Sequence, residues 1–335
     1  METGRETAIR DNDLSRRGPT PAAVARRYRA SQRLKAVAGL IGLCLLLWIL
    51  TPHFLTVANA LNVMEQTSIN AIVAVGMTFV IISGGIDLSV GSLVALSGVV
   101  LASALKSGWP IPLALAAGLG VGAATGLLNG VVIAFGRLPP FIMTLGMMSV
   151  ARGAALLVTD GRPISGFDAG FRSIATGRVF GVPAPIVLTL AIYAVAHFVL
   201  SRTRFGRYVY GIGGNEEATR LSGVNVRFHK TMVYVVSGVT SAIAAVLLTA
   251  RLNTAQPIAG IMYELDAIAA VVIGGTSLSG GEGNLGGTLI GALTMGVLRN
   301  GLNLLGVSSF LQQLVIGMVI IVAVLVDVLV KEKRA

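Results

Sequence analysis

The sequence predicts an all-α protein that crosses a membrane about ten times. Hydrophobic residues make up 54% of its 335 residues and charged residues only 12%, with a mean hydropathy of +0.80, whereas a soluble domain carries about 25% charged residues. A helix needs roughly 20 apolar residues to cross the hydrocarbon core of a bilayer. Five runs reach this length without any Asp, Glu, Lys or Arg: 66–86, 107–136, 179–201, 231–250 and 300–326.

Apolar stretches and the prolines between them divide the chain into ten predicted spans. Proline interrupts a helix because it lacks a backbone N–H and clashes with the preceding turn. Pro52 therefore closes the first span, Pro110 opens the fourth, and Pro139-Pro140 open the fifth. The third, eighth and ninth spans are short or interrupted by glycine, which leaves re-entrant segments as an alternative there. The ten spans cover about 35–51, 63–83, 88–106, 111–135, 139–158, 184–200, 231–250, 264–280, 285–304 and 308–329.

Basic residues indicate which side of the membrane each connection faces. Much of the net charge of +11 lies in three segments: 1–35 has nine Lys/Arg against four acids, 201–230 has six against two, and 327–335 has three against two. Such clusters are typical of cytoplasmic segments rather than of nucleic-acid binding, and ten spans place all three, with both termini, in the cytoplasm. We therefore predict a disordered basic arm over 1–34, attracted to anionic lipid as an alternative, and a transmembrane domain over 35–335.

Two series of glycines at four-residue spacing predict close helix packing. Small residues on one face let membrane helices approach each other closely. Exposure of backbone groups to a translocation path is the alternative interpretation. The two series, among 42 glycines, are Gly122, Gly126 and Gly130, and Gly283, Gly287 and Gly291.

A glycine-rich break at 84–91 separates two apolar runs, and five of its eight residues recur at 274–281. Many transporter folds contain repeated halves with interrupted helices beside the substrate path. The two breaks are therefore predicted hinges of a possible internal repeat. A second echo, Asn129-Gly130 with Asn300-Gly301, falls on the opposite side of the membrane, so the symmetry of the repeat stays open.

Neutral polar side chains within the spans favour an uncharged, hydroxyl-rich solute, because amides donate and accept hydrogen bonds without attracting an ion. Hydrogen bonding between helices is the alternative role for each of them. Asp87 also has two interpretations, as the N-cap of the third span beside Ser89 or as a carboxylate of the path. The predicted path and hinge residues are Asn62, Gln66, Gly84, Gly85, Asp87, Ser89, Asn129, Gly274, Gly275 and Ser277.

Several kinds of chemistry have no matching motif in the sequence. The chain has no Gly-Lys pair and therefore no phosphate-binding loop of the Walker A type. Its three histidines lie far apart, and Cys44 is the single cysteine, so neither a metal site nor a disulfide framework is predicted. We predict no catalytic residue, no cofactor and no metal, and any ATP would be bound by a separate subunit.

Two polar connections are candidate surfaces for partner proteins. The external segment 159–183 is either a solvated loop or a docking surface for an extracytoplasmic partner. Within the cytoplasmic loop 201–230, Asn215 is a good N-cap and Gly223 a good C-cap for a helix of about seven residues. So short a helix is unstable alone in water, which favours docking in a groove of another protein over a plain surface helix. The residues predicted to dock are Asn215, Glu216, Glu217, Ala218, Arg220, Leu221 and Gly223.

Five motifs together resemble the ribose/xylose/arabinose branch of bacterial ABC-transporter permeases, over about residues 36–330. They are the segments 84–91, 126–130, 138–146, 213–218 and 274–281. The resemblance implies a ten-helix subunit of the bacterial inner membrane that pairs with a second permease copy. It also implies two ATPase subunits on the cytoplasmic side and a periplasmic binding protein that delivers a monosaccharide. The segment 214–224 resembles the coupling helix of that family, with Thr219 where a second alanine is frequent.

Three other functions stay open beside this resemblance. A stand-alone carrier or channel for a neutral solute would transport without an ATPase, and a membrane enzyme would need a catalytic constellation that the sequence lacks. Branched-chain amino-acid permeases are the nearer alternative within the family, although the motifs fit the sugar branch better. Pentoses, hexoses, polyols and furanoses are all compatible substrates, and the second permease copy could be identical or different.

Overall fold

The computed structural model describes residues 21–332, with side chains between 36 and 325. It is built of helices and four strands of two residues each, β1 (Ile164–Ser165), β2 (Arg178–Val179), β3 (Val182–Pro183) and β4 (Thr254–Ala255). The helices are α1 (Pro21–Leu50), α2 (Val57–Ile82), α3 (Val90–Lys106), α4 (Ile111–Gly136), α5 (Pro140–Thr159), α6 (Ala169–Thr176), α7 (Ala184–Arg202), α8 (Arg204–Gly214), α9 (Glu216–Leu221), α10 (Val226–Leu252), α11 (Tyr263–Ile273), α12 (Leu285–Leu304) and α13 (Ser309–Glu332). Strand β1 pairs antiparallel with β4, and β2 pairs antiparallel with β3.

The helices confirm the prediction of an all-α protein with many membrane spans. Five of them, α2, α4, α5, α7 and α10, are long and apolar enough to cross a bilayer. Shorter apolar stretches lie at 36–50 in α1, throughout α3 and at 309–325 in α13. The predicted external loop 159–183 contains β1, α6 and the β2–β3 hairpin.

Of the two interpretations of 264–280, the structure favours the interrupted segment over the full span. Helix α11 ends at Ile273 and has 11 residues, which at 1.5 Å per residue is roughly 16 Å, about half of the hydrocarbon thickness. The helix ends there because Gly274 and Gly275 follow, and Gly275 takes the left-handed conformation with φ of 84°. This segment is therefore an interrupted half-helix.

Residues 21–34 of the predicted basic arm form the first part of α1, and the division of the chain into an arm and a transmembrane domain stays a prediction. Pro21 suits the first position of a helix because its missing N–H would have no helical partner there, and the alanines and arginines that follow favour helix. Residues 1–20 lie outside the described part of the chain.

Helix α2 lies at the centre of the bundle, and α10 packs along it. Of the apolar stretch of α2 that could span the membrane, 83% is buried. Helix α4 lies against α10 through its glycine series: a Cβ added at Gly130 would lie 2.6 Å from Thr231 O, and Cβ atoms at Gly122 and Gly126 would collide with carbonyl oxygens of α10. Helices α11 and α12 meet in the same way through Gly287 and Gly291. The close packing predicted from the glycine spacing is confirmed, except at Gly283, which lies before the start of α12.

The two glycine breaks have the same backbone hydrogen bonds. After α2, Gly84 N donates to Ile81 O and Gly85 N donates to Val80 O, at 2.9 and 3.0 Å. After α11, the residues Gly275 and Thr276 donate to carbonyls three and five residues earlier, at 2.8 and 3.1 Å. This is the Schellman ending of a helix, which needs a left-handed residue at its first non-helical position.

The breaks also share the turn that follows the helix end. In each, a side-chain oxygen accepts a hydrogen bond from the backbone N–H two residues later. Asp87 Oδ1 accepts from Ser89 N, and Ser277 Oγ accepts from Ser279 N. The left-handed residues are Gly84 in the first break and Gly275 in the second. The sequence echo aligns Gly84 with Gly274, so the left-handed residue comes one position later in the second break. The internal repeat is thus present in local structure, with one residue fewer between helix end and turn in the second copy.

Candidate functional site

Helix α9 is a short capped helix that projects from the bundle. The Oδ1 atom of Asn215 accepts the N–H of Ala218 at 2.8 Å, and Gly223 has φ of 83° at the other end. None of the six residues of α9 is buried, and Leu221 is 75% exposed. The predicted helix and its N-cap Asn215 are confirmed, whereas the C-cap is Ser222 and Gly223 follows it in the left-handed conformation.

The carboxylates of α9 are held by neighbouring cations. Arg220 Nε donates to Glu217 Oε2 at 3.0 Å, and Lys230 Nζ donates to Glu216 Oε2 at 2.8 Å. The hydrogen bond from Arg220 lowers the pKa of Glu217 below its ordinary value. The side chains of Glu217 and Arg220 are both about two-thirds exposed. Helix α9 therefore presents charged groups in fixed positions on its exposed surface.

Glycine backbone connects α9 to both breaks. Gly213, two residues before the α9 N-cap, packs so closely on Ile82 that an added Cβ would collide with the Ile82 carbonyl oxygen and lie 2.6 Å from Gly281 N. Gly281 N itself donates to Ile82 O at 2.9 Å. A Cβ added at Gly280 would lie 3.0 Å from Gly84 N. We call these five residues the glycine junction: Ile82, Gly84, Gly213, Gly280 and Gly281.

The glycine junction was not predicted as a unit. The sequence indicated the two breaks and the short helix separately, and the pair Gly213-Gly214 was the signal that a third close approach exists. In the junction, a side chain of α8 adds a further bond, because the Tyr210 hydroxyl donates to Gly283 O at 2.7 Å. The backbone just before α9 is therefore in direct contact with the backbone of both breaks.

Asp87 ties the first break to helix α10. Its Oδ1 accepts the N–H and the hydroxyl of Ser89 at 3.0 and 2.6 Å, and its Oδ2 accepts the hydroxyl of Ser237 at 2.7 Å. The interpretation of Asp87 as an N-cap is wrong: α3 begins at Val90 after Ser89, and Asp87 closes a turn before the helix. Asn129 Nδ2 donates to Ser89 Oγ at 3.0 Å, which adds α4 to this network.

The predicted path and hinge residues divide into three groups in the structure. The first group is fully buried and makes hydrogen bonds between elements: Asp87, Ser89 and Asn129. For Asn129 this is the role in hydrogen bonding between helices that the sequence offered as the alternative to lining a path. The members on the breaks, Gly84, Gly85, Gly274, Gly275 and Ser277, shape the two helix ends. Asn62 and Gln66 are exposed and bond each other at 2.9 Å.

A buried ion pair between α11 and α12 was missed by the sequence analysis. Arg299 Nη2 donates to both carboxylate oxygens of Asp266, at 2.7 and 2.6 Å, and Asn70 Nδ2 donates to Asp266 Oδ2 at 3.1 Å. Asp266 is 3% exposed, while the Arg299 side chain is 40% exposed. Asp266 is buried because α2 and α12 flank the short helix α11.

This ion pair lines a cavity of about 40 Å³ between α2, α11 and α12. Its polar walls come from Gln66, Thr67, Asn70, Asp266 and Arg299. Ionisable residues at membrane depth are rare and are typical of functional sites. Among the described residues, no group of three or more His, Cys, Asp or Glu could hold a metal ion, so the polarity here is that of hydrogen-bonding groups.

Comparison with known proteins gives a consistent set of matches. Residues 59–324 match the family model described as "Branched-chain amino acid transport system / permease component". The chain is 50% identical over 315 residues to the ribose import permease of Escherichia coli (strain K12), covering 92% of this chain and 98% of that protein. It is 49% identical over 298 residues to the ribose import permease of Bacillus subtilis (strain 168), covering 88% and 92%.

The D-allose transport system permease of Escherichia coli (strain K12) is 39% identical over 281 residues, covering 84% of this chain and 86% of that protein. No solved structure matches the chain.

Proposed function

This chain belongs to the permease family of ABC sugar importers, and from that premise we propose that it carries a ribose-like monosaccharide across the bacterial inner membrane. The two relatives described above that share about 50% sequence identity with this chain are both named ribose import permeases. The family description also names branched-chain amino acids. Sugar is favoured over these because the relatives are named sugar permeases and because the polar groups of the α2 face are mostly neutral amides.

The energy for transport comes, in this proposal, from ATPase subunits that bind α9. The chain itself has no Walker A motif. The single observation that carries the coupling role is the glycine junction, which places the backbone just before α9 against both helix breaks. ATP-driven closure of the ATPase pair would displace α9, and the junction would pass that displacement to α2 and α11.

The proposed orientation puts the three basic segments, both termini and α9 in the cytoplasm. A periplasmic binding protein then docks at the opposite end of the bundle, near the segment 159–183 with its helix α6 and hairpin. A second copy of this chain completes the transporter, as the family resemblance implies, and membrane lipid covers the remaining apolar faces. Many large apolar side chains on α1, α5 and α13 are exposed and available for these contacts.

Reconstitution tests this proposal directly. The permease is inserted into liposomes with the ATPase subunits and the binding protein of its importer, and uptake of radiolabelled D-ribose, D-allose and L-arabinose is measured with and without ATP. We expect accumulation of at least one of these sugars that requires ATP and both partners. Sustained uphill accumulation by the permease alone would instead support a stand-alone carrier and overturn the proposal.

Glu217 provides a sharper test of the coupling role. Glu217→Lys reverses a charge that faces away from the bundle, and we expect ATPase stimulation by the loaded binding protein to fall at least tenfold together with transport. The matched control is the exchange Glu217→Arg with Arg220→Glu, which keeps an ion pair on α9 at the same spacing, although in the order that the helix dipole favours less.

If the charge at position 217 contacts the ATPase, the exchange variant fails like Glu217→Lys. If Glu217 only stabilises α9, the exchange restores transport, and the docking role of this side chain is wrong.

A further inference from the structure

Polar atoms around the Asp266–Arg299 pair remain without partners. Asn70 donates through Nδ2, but its buried Oδ1 accepts no hydrogen bond, and the buried hydroxyl of Thr67 has none either. Arg299 donates to Asp266 through Nη2, and because its side chain is 40% exposed its other N–H groups are open to the cavity or to water. Buried polar groups in proteins are nearly always paired. A polar occupant of the cavity would supply the missing partners.

The unpaired atoms match the hydrogen bonds of a sugar hydroxyl, which donates one bond and accepts up to two. The unpaired Asn70 oxygen is an acceptor and the unpaired threonine hydroxyl can donate and accept. The Asp266 carboxylate is already bonded, but it keeps lone pairs that can accept a further bond, and the remaining N–H groups of Arg299 are donors. The ion pair has no net charge, so it does not select an anion or a cation. Neighbouring hydroxyls of a neutral sugar therefore fit this set better than a charged solute does.

The cavity also lies on a polar line along α2. Asn62, Gln66 and Asn70 follow one another at four-residue spacing, which puts them on one helix face, and the first two are exposed. Asn70 comes 13 residues after the start of α2 at Val57, about 20 Å along the helix axis. The line thus leads from one end of α2 to its middle, the depth at which transporters commonly hold their substrates.

We propose that the cavity between α2, α11 and α12 is a sugar subsite, in which neighbouring hydroxyl groups of the transported monosaccharide bind. This inference rests on the proposed function. A volume of about 40 Å³ has room for about three water molecules at about 10–15 Å³ of accessible space each, so the subsite takes one edge of the sugar while the rest lies toward the exposed side of Arg299. Its contacting residues are Thr67, Asn70, Asp266 and Arg299.

The test uses the complete importer in liposomes, with binding protein saturated by either D-ribose or one of its singly deoxygenated analogues. Saturation removes the selectivity of the binding protein, so the ratio of the two uptake rates reports on the permease. Thr67→Val replaces an unpaired hydroxyl by a methyl group of similar size. We expect D-ribose uptake to fall about tenfold, the change produced by one lost hydrogen bond of about 1.4 kcal/mol, with little change for the analogue lacking the hydroxyl that Thr67 contacts.

Asp266→Asn is the second variant, because it keeps the shape of the side chain and removes its charge, and it should shift the same ratio. Thr189→Val is the matched control: the Thr189 hydroxyl is buried and bonds only to Pro185 O of its own helix, so its loss should leave the ratio unchanged. Thermal unfolding of each variant reports separately on folding.

Wild-type uptake ratios in both Thr67→Val and Asp266→Asn would overturn the subsite and indicate a cavity that holds only water. Absence of uptake of every sugar by the wild-type importer would instead overturn the proposed function, and the subsite with it.

Discussion

Asp87 is the residue whose interpretation changed most between sequence and structure. The sequence favoured a helix cap, a local role, because Asp and Ser stand just before an apolar run. The structure adds Ser237, which lies 150 residues later, and this partner converts the turn into a tie between the first break and α10. A long-range partner of this kind leaves no local signal, so the residue could be predicted as important while its role could not.

Replacement of Asp87 separates this tie from a role of its charge in a gate. Asp87→Ala leaves the donors of Ser89 and Ser237 buried without an acceptor, at a cost of about 1–3 kcal/mol for each donor. Asp87→Asn keeps one acceptor and can donate to the Ser237 hydroxyl. We expect Asp87→Ala to lower the unfolding temperature in detergent clearly and Asp87→Asn to transport at close to the wild-type rate. An Asp87→Asn variant that assembles normally but fails to transport would show that the charge itself acts in the gate.

The Asp266–Arg299 pair shows a second limit of sequence reasoning at this scale. Each residue stands at an edge of an apolar run, where a charge normally reaches water. The two are 33 positions apart and come together only because α11 breaks and α12 returns beside it. The signal that could have revealed them is the pair of breaks itself, since a half-helix brings its first turn to the middle of its longer neighbours.

At the scale of elements, the helix breaks were the most predictable part of the site. Their Gly-Gly pairs and the following Ser or Asp encode a Schellman ending and a turn, and both are local. The contact between the breaks and α8 was not predictable, because it depends on how three helix ends approach in space. The sequence showed only that Gly213 and Gly214 are glycines.

These two adjacent glycines provide a matched pair of variants. A Cβ at Gly213 would collide with Ile82 O, whereas a Cβ at Gly214 would meet nothing within 4 Å. Gly213→Ala should therefore displace the junction, with an overpacking cost of about 1–3 kcal/mol, and lower transport and ATPase stimulation together. Gly214→Ala should leave both unchanged. Equal transport by the two variants would contradict the coupling role of the junction.

For the whole molecule, composition and charge predicted the fold class and the order of the spans, because burial in lipid imposes long apolar helices on any sequence. Hydropathy alone gave α11 the length of a full span, and only its Gly-Gly pair indicated the interruption that the structure shows. The orientation of the bundle rests on the three basic clusters and stays a prediction.

Single cysteines test this orientation. Cys44 is replaced by serine, and either Ser222, beside α9, or Thr176, at the end of α6, is replaced by cysteine; both positions are exposed. A membrane-impermeant maleimide added to intact spheroplasts should label Thr176→Cys at once and Ser222→Cys only after permeabilisation. The reverse labelling order would invert the topology and place α9 out of reach of any ATPase.

The contacts of the glycine junction are made by carbonyl and amide groups, which every residue possesses. Substitution of neighbouring side chains during evolution therefore leaves the glycine junction unchanged, provided that its few glycines are kept. The walls of the cavity beside Asp266 are made of side chains instead, and substitutions there alter what fits. The residues of the cavity and those of the glycine junction can consequently change independently. A descendant of this permease could therefore bind a different sugar while its glycine junction stays the same.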